Sequence, residues 1–143
     1  MIVLDTNVLS EPLRSRPDGI VAEWLDRHDP ETLFLTSVTV AEALFGVELM
    51  PEGRRRDQLR EATEAIIAVF GERVLDFDRS AATEYATRVA SCRRTGIPVS
   101  VADGQIGAIA AAHGFAVATR DVEPFAALGL DVIDPWSAPN SQA

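Results

Sequence analysis

The chain has 143 residues, of which 47% are hydrophobic and 24% are charged. This length predicts one domain with a substantial hydrophobic core, and this composition excludes a chain that is disordered over most of its length. The formal net charge of −9 excludes nucleic-acid binding by surface electrostatics alone, because such binders are normally basic. Contact with a phosphate backbone would need bound cations or local arginines at one site, and the charge also suits a basic protein partner.

The sequence shows no sign of export or of a membrane span. Asp5 interrupts the first apolar run, and the longest apolar stretches, around 66–70 and 106–112, are too short to cross a bilayer. Cys92 is the single cysteine, so no internal disulfide can form. We therefore expect a protein of the reducing cytoplasm, with no membrane partner.

Short apolar runs alternate along the chain with longer helical patterns. Strands are expected at 2–4, 33–35, 74–75, 115–118 and 131–133. Helices or helical turns are expected at 8–13, 20–25, 37–49 after a cap at Thr36 or Ser37, 54–70, 80–94, 101–113 after a cap at Ser100, and 122–128. This alternation predicts a single α/β domain over 1–136, with a central, mostly parallel sheet flanked by helices on both faces, followed by a short polar C-terminal tail at 137–143.

Four carboxylates lie where the predicted elements can bring them together. Asp5 directly follows the first strand, and Asp121 closely follows the strand at 115–118. Glu42 lies in the second turn of its helix and Asp103 in the first turn of another. Sites in open parallel sheets lie outside the carboxyl ends of the strands, at a switch in strand order. We therefore expect the four acids to face one edge of the sheet.

These acids together have the chemistry of a metal site. Hard carboxylate oxygens are the ligands that Mg²⁺ and Mn²⁺ prefer, and such a site can clamp a phosphate and activate a water. Metal-assisted hydrolysis of a phosphodiester is the predicted reaction. Each acid also has an ordinary structural interpretation, because Asp5, Asp103 and Asp121 suit turns, caps or a helix dipole and Glu42 suits a solvated helix face.

The acids stand in short motifs that together resemble one family. The segment Asp5-Thr6-Asn7-Val8-Leu9-Ser10-Glu11 resembles the opening motif of the PIN-domain family. The segments 39–42 (TVAE), 102–103 (AD) and 119–121 (TRD) resemble its other acidic motifs, in the same order. The closing segment 133–136 (IDPW) resembles the end of a bacterial subgroup that contains the VapC and FitB toxins of toxin–antitoxin modules. The resemblance covers nearly the whole chain.

This resemblance implies a PIN fold and a metal-dependent endoribonuclease that acts as a toxin, with Mg²⁺ or Mn²⁺ as its cofactor. It implies metal-binding catalytic roles for Asp5, Glu42, Asp103 and Asp121. It also implies that Thr6, Asn7 and Thr119 orient those acids. Many relatives have asparagine at the position of Asp121, often with an acid three residues later, where this chain has Pro124. Asp121 is therefore the candidate fourth ligand.

The resemblance further implies an RNA substrate, a homodimer and a small basic antitoxin as partner. An alternative stays open, in which the chain is a weakly or non-catalytic subunit of a DNA-binding antitoxin complex that regulates its own operon. The acidic pocket would then receive an arginine of the partner. Two rival enzymes fit less well: a dehalogenase-type phosphatase needs aspartate where Asn7 stands, and a receiver domain needs a lysine late in the chain.

Arginines provide the positive charge that an RNA-binding surface would need. The groups at 54–56 with Arg60, and at 93–94, are either contacts for an RNA backbone or solvated helix surface. Arg14 and Arg16 follow the first motif and so lie nearer the acids. Positive charge there would offset the repulsion between the acids and a phosphate.

Overall fold

A five-stranded parallel sheet in the order β3-β2-β1-β4-β5 forms the centre of the molecule. The computed structural model describes residues 1–137, so the predicted tail beyond Ser137 lies outside the described residues. The strands are β1 Ile2–Leu4, β2 Leu33–Thr36, β3 Val74–Leu75, β4 Ala116–Ala118 and β5 Val132–Ile133. The sheet was predicted to be mostly parallel, and every described strand pair is parallel.

Helices cover both faces of this sheet, as predicted. They are α1 Thr6–Ser10, α2 Gly19–Asp26, α3 Ser37–Glu48, α4 Arg54–Phe70, α5 Arg79–Arg94, α6 Val101–His113 and α7 Val122–Ala127. The helix expected at 8–13 is divided into α1 and a 3₁₀ turn, Glu11–Leu13. Pro12 explains the division, because proline has no N–H to continue an α-helix. None of the described helices is both long enough and apolar enough to cross a membrane.

The alternation of side chains along the strands builds two hydrophobic layers. On β1, Leu4 packs on one face among buried residues of α1, α2 and α3, including Trp24. Its neighbour Val3 packs on the other face with Ile106 of α6 and Phe125 of α7. Successive residues of a strand point to opposite faces, so one short strand contributes to both layers. Both cores therefore fix the position of β1 and of the residue that follows it.

The order of the strands creates a switch point beside β1. The chain runs outward from β1 to β2 and β3, and then returns to place β4 on the other side of β1. The two neighbouring strands are in register, with Leu4 opposite Ala118. Their connections leave in opposite directions, which opens a crevice at their carboxyl ends. Asp5 and Thr119 are the next residues of these strands.

Two glycines inside helices have opposite surroundings. A Cβ on Gly104 of α6 would lie 2.7 Å from the ring of Tyr85 and 2.9 Å from Val89, both on α5. A Cβ on Gly46 of α3 would meet nothing within 4 Å. Gly104 therefore allows α5 and α6 to pack closely next to Asp103. Gly46, by contrast, has open space where a side chain would stand.

We expect Gly104→Ala to destabilise the protein by roughly 1–2 kcal/mol, because overpacking outweighs the gain in helix propensity. Gly46→Ala is the matched control and should stabilise it by up to about 1 kcal/mol. Urea unfolding at a fixed protein concentration measures both changes. Equal effects of the two substitutions would contradict the assigned role of Gly104.

Candidate active site

Asp5 lies at the carboxyl end of β1, in the crevice between β1 and β4. Its backbone N–H donates to the carbonyl of Ala118 at 2.9 Å, which extends the pairing of the two strands by one residue. Its side chain caps α1 by accepting from the N–H of Thr6 at 2.7 Å. Only 5% of the residue is exposed. The strand, the cap and the burial together leave this carboxylate little freedom to move.

The hydroxyl of Thr119 connects Asp5 to two other segments of the site. It donates to Oδ2 of Asp5 at 2.8 Å and accepts from the backbone N–H of Asp121 at 3.0 Å. The side-chain amide of Asn7 also donates to it, at 3.4 Å, while Oδ1 of Asn7 accepts from the N–H of Arg120 at 3.3 Å. Asn7 and Thr119 therefore fix the loop after β4 against the start of α1.

Glu42 reaches the same edge of the sheet from α3. Thr36, rather than Ser37, caps this helix by accepting from the N–H of Thr39 at 3.0 Å. One turn later, Oε1 of Glu42 accepts from the hydroxyl of Thr6 at 2.6 Å. Because Thr6 also donates its N–H to Asp5, one threonine orients two of the predicted acids.

Asp103 and Asp121 complete the set from the other side of the crevice. Ser100 caps α6 as predicted, since its hydroxyl accepts from the N–H of Asp103 at 3.1 Å. Asp103 is half-buried in the first turn of that helix. Asp121 is exposed at the start of α7 and makes no capping bond through its side chain. Of the four acids, Asp121 is the one with the most freedom.

Burial, together with repulsion among these acids, shifts the protonation of two of them. Burial raises the pKa of Asp5 to about 6, and the negative charges of Asp103 and Glu42 raise it further. The hydrogen bonds that Asp5 accepts from Thr119 and Thr6 act in the opposite direction and lower it. Burial likewise raises the pKa of Asp103, with Asp121 and Glu42 contributing. Each of the four acids thus takes part in at least one of these repulsive interactions. The structure places all four in one electrostatic cluster, which we name the acid cluster.

A divalent cation fits the acid cluster chemically. Among the described residues, none of the four acids forms an ion pair with an arginine of the chain. No three acidic, histidine or cysteine side chains of this part of the chain stand close enough together to ligate an ion directly. Mg²⁺ commonly keeps several waters and binds through one or two carboxylates, so such a spread set of hard oxygens suits it. Asp5, Glu42, Asp103 and Asp121 remain the ligands that the sequence analysis predicts, and bound waters would have to bridge some of them to a metal.

Two features near the acid cluster escaped the sequence analysis. Glu11 belongs to the opening motif, yet no role was assigned to it, and it is only 4% exposed. The position of an acid just before Pro12, in a turn, was the signal available. Arg120 stacks on the ring of Trp136, with 5.1 Å from the guanidinium carbon to the ring centroid. No local sequence pattern predicts that contact.

The fold is shared with a known class of proteins. A sequence model of the PIN domain matches residues 2–129, and the chain therefore belongs to the PIN domain family. Two solved structures are similar over almost their whole length. One is FitAcB from Neisseria gonorrhoeae, with a TM-score of 0.92, 41% identity, and coverage of 96% of this chain and 99% of that one. The other is FitAB bound to an IR36 DNA fragment, with a TM-score of 0.91, 42% identity, and coverage of 95% and 96%.

Within the family, the chain is similar to bacterial proteins that are named as a plasmid stability protein and as a VapC ribonuclease. It is 50% identical to the plasmid stability protein StbB of Pseudomonas syringae pathovar tomato, over 96% of this chain and 100% of that protein. It is 47% identical to the VapC ribonuclease Y4jK of Sinorhizobium fredii, over 95% and 98%. The resemblance to the PIN-domain family, drawn from the acidic motifs, and the resemblance to its VapC and FitB subgroup, drawn from the closing segment 133–136, are thereby confirmed.

The raised pKa of Asp5 predicts how stability depends on pH without metal. The folded-state pKa of about 6 exceeds the ordinary value of 3.8, so the charged form destabilises the fold. Stability should fall as the pH rises from about 4 to about 6 and stay lowered at neutral pH. At pH 7, Asp5→Asn should stabilise the metal-free protein by as much as ~3 kcal/mol, and near pH 4 this gain should disappear.

Urea unfolding between pH 4 and pH 8 in the presence of a chelator measures this dependence. Asp131→Asn is the matched control, because it removes one negative charge from an exposed position away from the cluster. An Asp5→Asn variant that is no more stable than wild type at pH 7 would contradict the raised pKa of Asp5.

Proposed function

We propose that the protein is a ribonuclease that depends on Mg²⁺ or Mn²⁺ and is the toxin of a toxin–antitoxin module. The observation that carries the proposal is the acid cluster, which lies at the switch point of the sheet without a cation from the described chain. The similarity to a protein named as a VapC ribonuclease supports RNA as the substrate. The metal, when bound, would supply positive charge for a scissile phosphate and an activated water.

The residues of the chain prepare the site for this reaction. The hydrogen bonds from Thr6 and Thr119 hold both oxygens of Asp5 in fixed directions. The capped start of α6 holds Asp103, and the hydroxyl of Thr6 holds Glu42. Such fixed carboxylates lose little entropy when they bind a cation, which raises the affinity of the site. The raised pKa of Asp5 implies that proton release accompanies metal binding at mildly acidic pH.

The four acids should differ in their importance for cleavage. Asp5→Asn and Asp103→Asn should abolish RNA cleavage, because these carboxylates are buried or half-buried and held at fixed ends of elements. Asp121→Asn should reduce cleavage by only about ten- to a hundredfold, since the exposed side chain of Asp121 has no fixed partner. Single-turnover cleavage of a labelled oligoribonucleotide across a Mn²⁺ titration measures the three variants.

The control for this experiment is again Asp131→Asn, which should cleave like wild type. Excess chelator should stop cleavage by every variant that remains active. If Asp121→Asn is as inactive as Asp5→Asn at saturating Mn²⁺, the proposed ranking is wrong. If Asp5→Asn keeps wild-type cleavage, the acid cluster is not the catalytic site.

The same cluster also suits an inhibitory partner. We propose a small basic antitoxin that inserts an arginine among the acids, where its guanidinium would pair with a carboxylate through two hydrogen bonds. The structural similarity to FitAB bound to a DNA fragment supports a partner that binds DNA. It also favours the second candidate function, a regulatory subunit with weak or no catalysis, which the cleavage experiment separates from the first.

Co-expression with the product of a neighbouring small reading frame should give a stable complex that no longer cleaves RNA. Replacement of the partner's inserted arginine by alanine should restore cleavage and weaken the complex, because the carboxylates lose their counter-charge. Co-purification and RNA cleavage by the complex measure these effects. The proposed inhibition by an antitoxin would be contradicted if the two proteins fail to co-purify, or if their complex cleaves RNA at the full rate.

A further inference from the structure

A cleft of about 480 Å³ opens beside the acid cluster. Part of its lining is formed by Glu42 of the acid cluster and by Thr6, which donates a hydrogen bond to Glu42. One wall comes from the segment after α1, and the other walls come from α3 and α4. A molecule held at the acids therefore has a direct path into this cleft.

Arginines from two separate segments line the cleft. Arg14 follows the 3₁₀ turn, and Arg55 lies in the first turn of α4. Both residues are exposed, and the side chain of Arg14 keeps 61% of its surface accessible. Apart from Glu42, which belongs to the acid cluster, Arg14 and Arg55 are the charged residues of this lining. In a chain with a net charge of −9, the part of the cleft beyond Glu42 therefore offers positive charge to an anion.

The buried carboxylate of Glu11 fixes the segment that carries Arg14. Oε1 of Glu11 accepts from the backbone N–H of Asp18 at 2.9 Å, and Oε2 accepts from the guanidinium of Arg14 at 3.4 Å. The carbonyl of Glu11 accepts from the N–H of Arg14 at 3.1 Å. Glu11 thus holds both ends of the loop 14–18 from one buried position. Burial of a carboxylate is costly unless hydrogen bonds compensate it, so this arrangement points to a requirement for a fixed loop.

We propose that the cleft receives the RNA strand next to the scissile phosphate, that Arg14 contacts a phosphate of this strand, and that Glu11 is the residue that positions Arg14. The inference rests on the proposed nuclease function. An arginine fork suits a phosphate, because its planar set of N–H donors can make two parallel hydrogen bonds. The apolar part of the lining, which includes Leu13 and Met50, can pack against an unstacked base.

The charge of the cleft favours RNA over a basic partner peptide as its occupant. A basic peptide would be attracted by the acid cluster but repelled by Arg14 and Arg55. A polyanion whose scissile phosphate is neutralised at the acids would meet positive charge along the rest of the cleft. A peptide in this cleft is the competing outcome of the test.

Binding of a labelled single-stranded oligoribonucleotide, measured by fluorescence anisotropy, tests Arg14 separately from cleavage. The proteins carry Asp5→Asn so that the RNA stays intact, and Mn²⁺ is present. Arg14→Gln should weaken binding about tenfold, the usual effect of losing a charged hydrogen bond. It should also reduce the dependence of log K on log salt by about 0.7, the contribution of one phosphate contact on a single strand.

The matched control is Arg16→Gln, which removes the same charge from the same loop at an exposed residue outside the lining of the cleft. It should weaken binding by less than about twofold, because exposed charges away from the ligand are largely screened. In the active protein, Arg14→Gln should raise KM and leave kcat nearly unchanged.

Glu11→Gln tests the positioning role. Its amide oxygen can still accept from the N–H of Asp18, so the melting temperature should stay near that of wild type, while KM should rise as it does for Arg14→Gln. The double variant should be no worse than Arg14→Gln alone, because both changes remove one contact. A purely structural Glu11 would instead give additive losses and a lowered melting temperature.

Equal RNA binding by the Arg14→Gln and Arg16→Gln proteins would overturn the inference and leave the nuclease proposal intact. Weaker binding of a co-purified antitoxin by Arg14→Gln, with unchanged RNA binding, would identify the cleft as a peptide groove and also overturn it. If the wild-type protein does not cleave RNA but binds it in a way that depends on Arg14, the nuclease proposal is wrong and the contact between Arg14 and RNA is supported.

Discussion

The geometry of the acid cluster depends on the hydrogen bonds of the Thr119 hydroxyl. This hydroxyl is fully buried, and it joins the carboxylate of Asp5, the amide of Asn7 and the backbone of Asp121. These groups come from the ends of β1 and β4 and from the starts of α1 and α7, which only the parallel pairing of β1 with β4 brings together. The two hydrophobic layers fix that pairing, so the packing of the core determines the directions of the acidic oxygens.

Local sequence signals predicted most boundaries of the helices and strands. The order of the strands in the sheet depends on contacts between distant segments, which local signals do not show. The helix at 54–70 was placed correctly because Gly53 precedes it and Gly71, with φ +53°, ends it. The cap of α3 stayed ambiguous between Thr36 and Ser37, since either hydroxyl can accept the bond and only the end of β2 decides between them. The position of β1 between β2 and β4 depends on burial on both faces, which no single segment of sequence encodes.

The grouping of the four acids was predictable from the sequence, but their contacts were not. Strand ends and helix starts were enough to group Asp5 with the other acids, because parallel strands share one carboxyl edge. The spacing along the chain could not show that Thr6 contacts both Asp5 and Glu42, or that no three acids among the described residues stand close enough for direct ligation. Glu11 went unassigned for a related reason. Its partners, Arg14 and Asp18, become partners only after Pro12 turns the chain.

On the proposed function, the distribution of charge would allow one site to support both an activity and its inhibition. Every one of the 13 cationic side chains is an arginine, and the ion pairs among the described residues leave the acid cluster unpaired. The cluster therefore favours a cation from outside the chain. On the proposed function, a metal ion and an arginine of a partner would bind to the same carboxylates, and binding of one would exclude the other. Burial of Asp5 strengthens this competition, because a charge near a desolvated carboxylate is screened little by water.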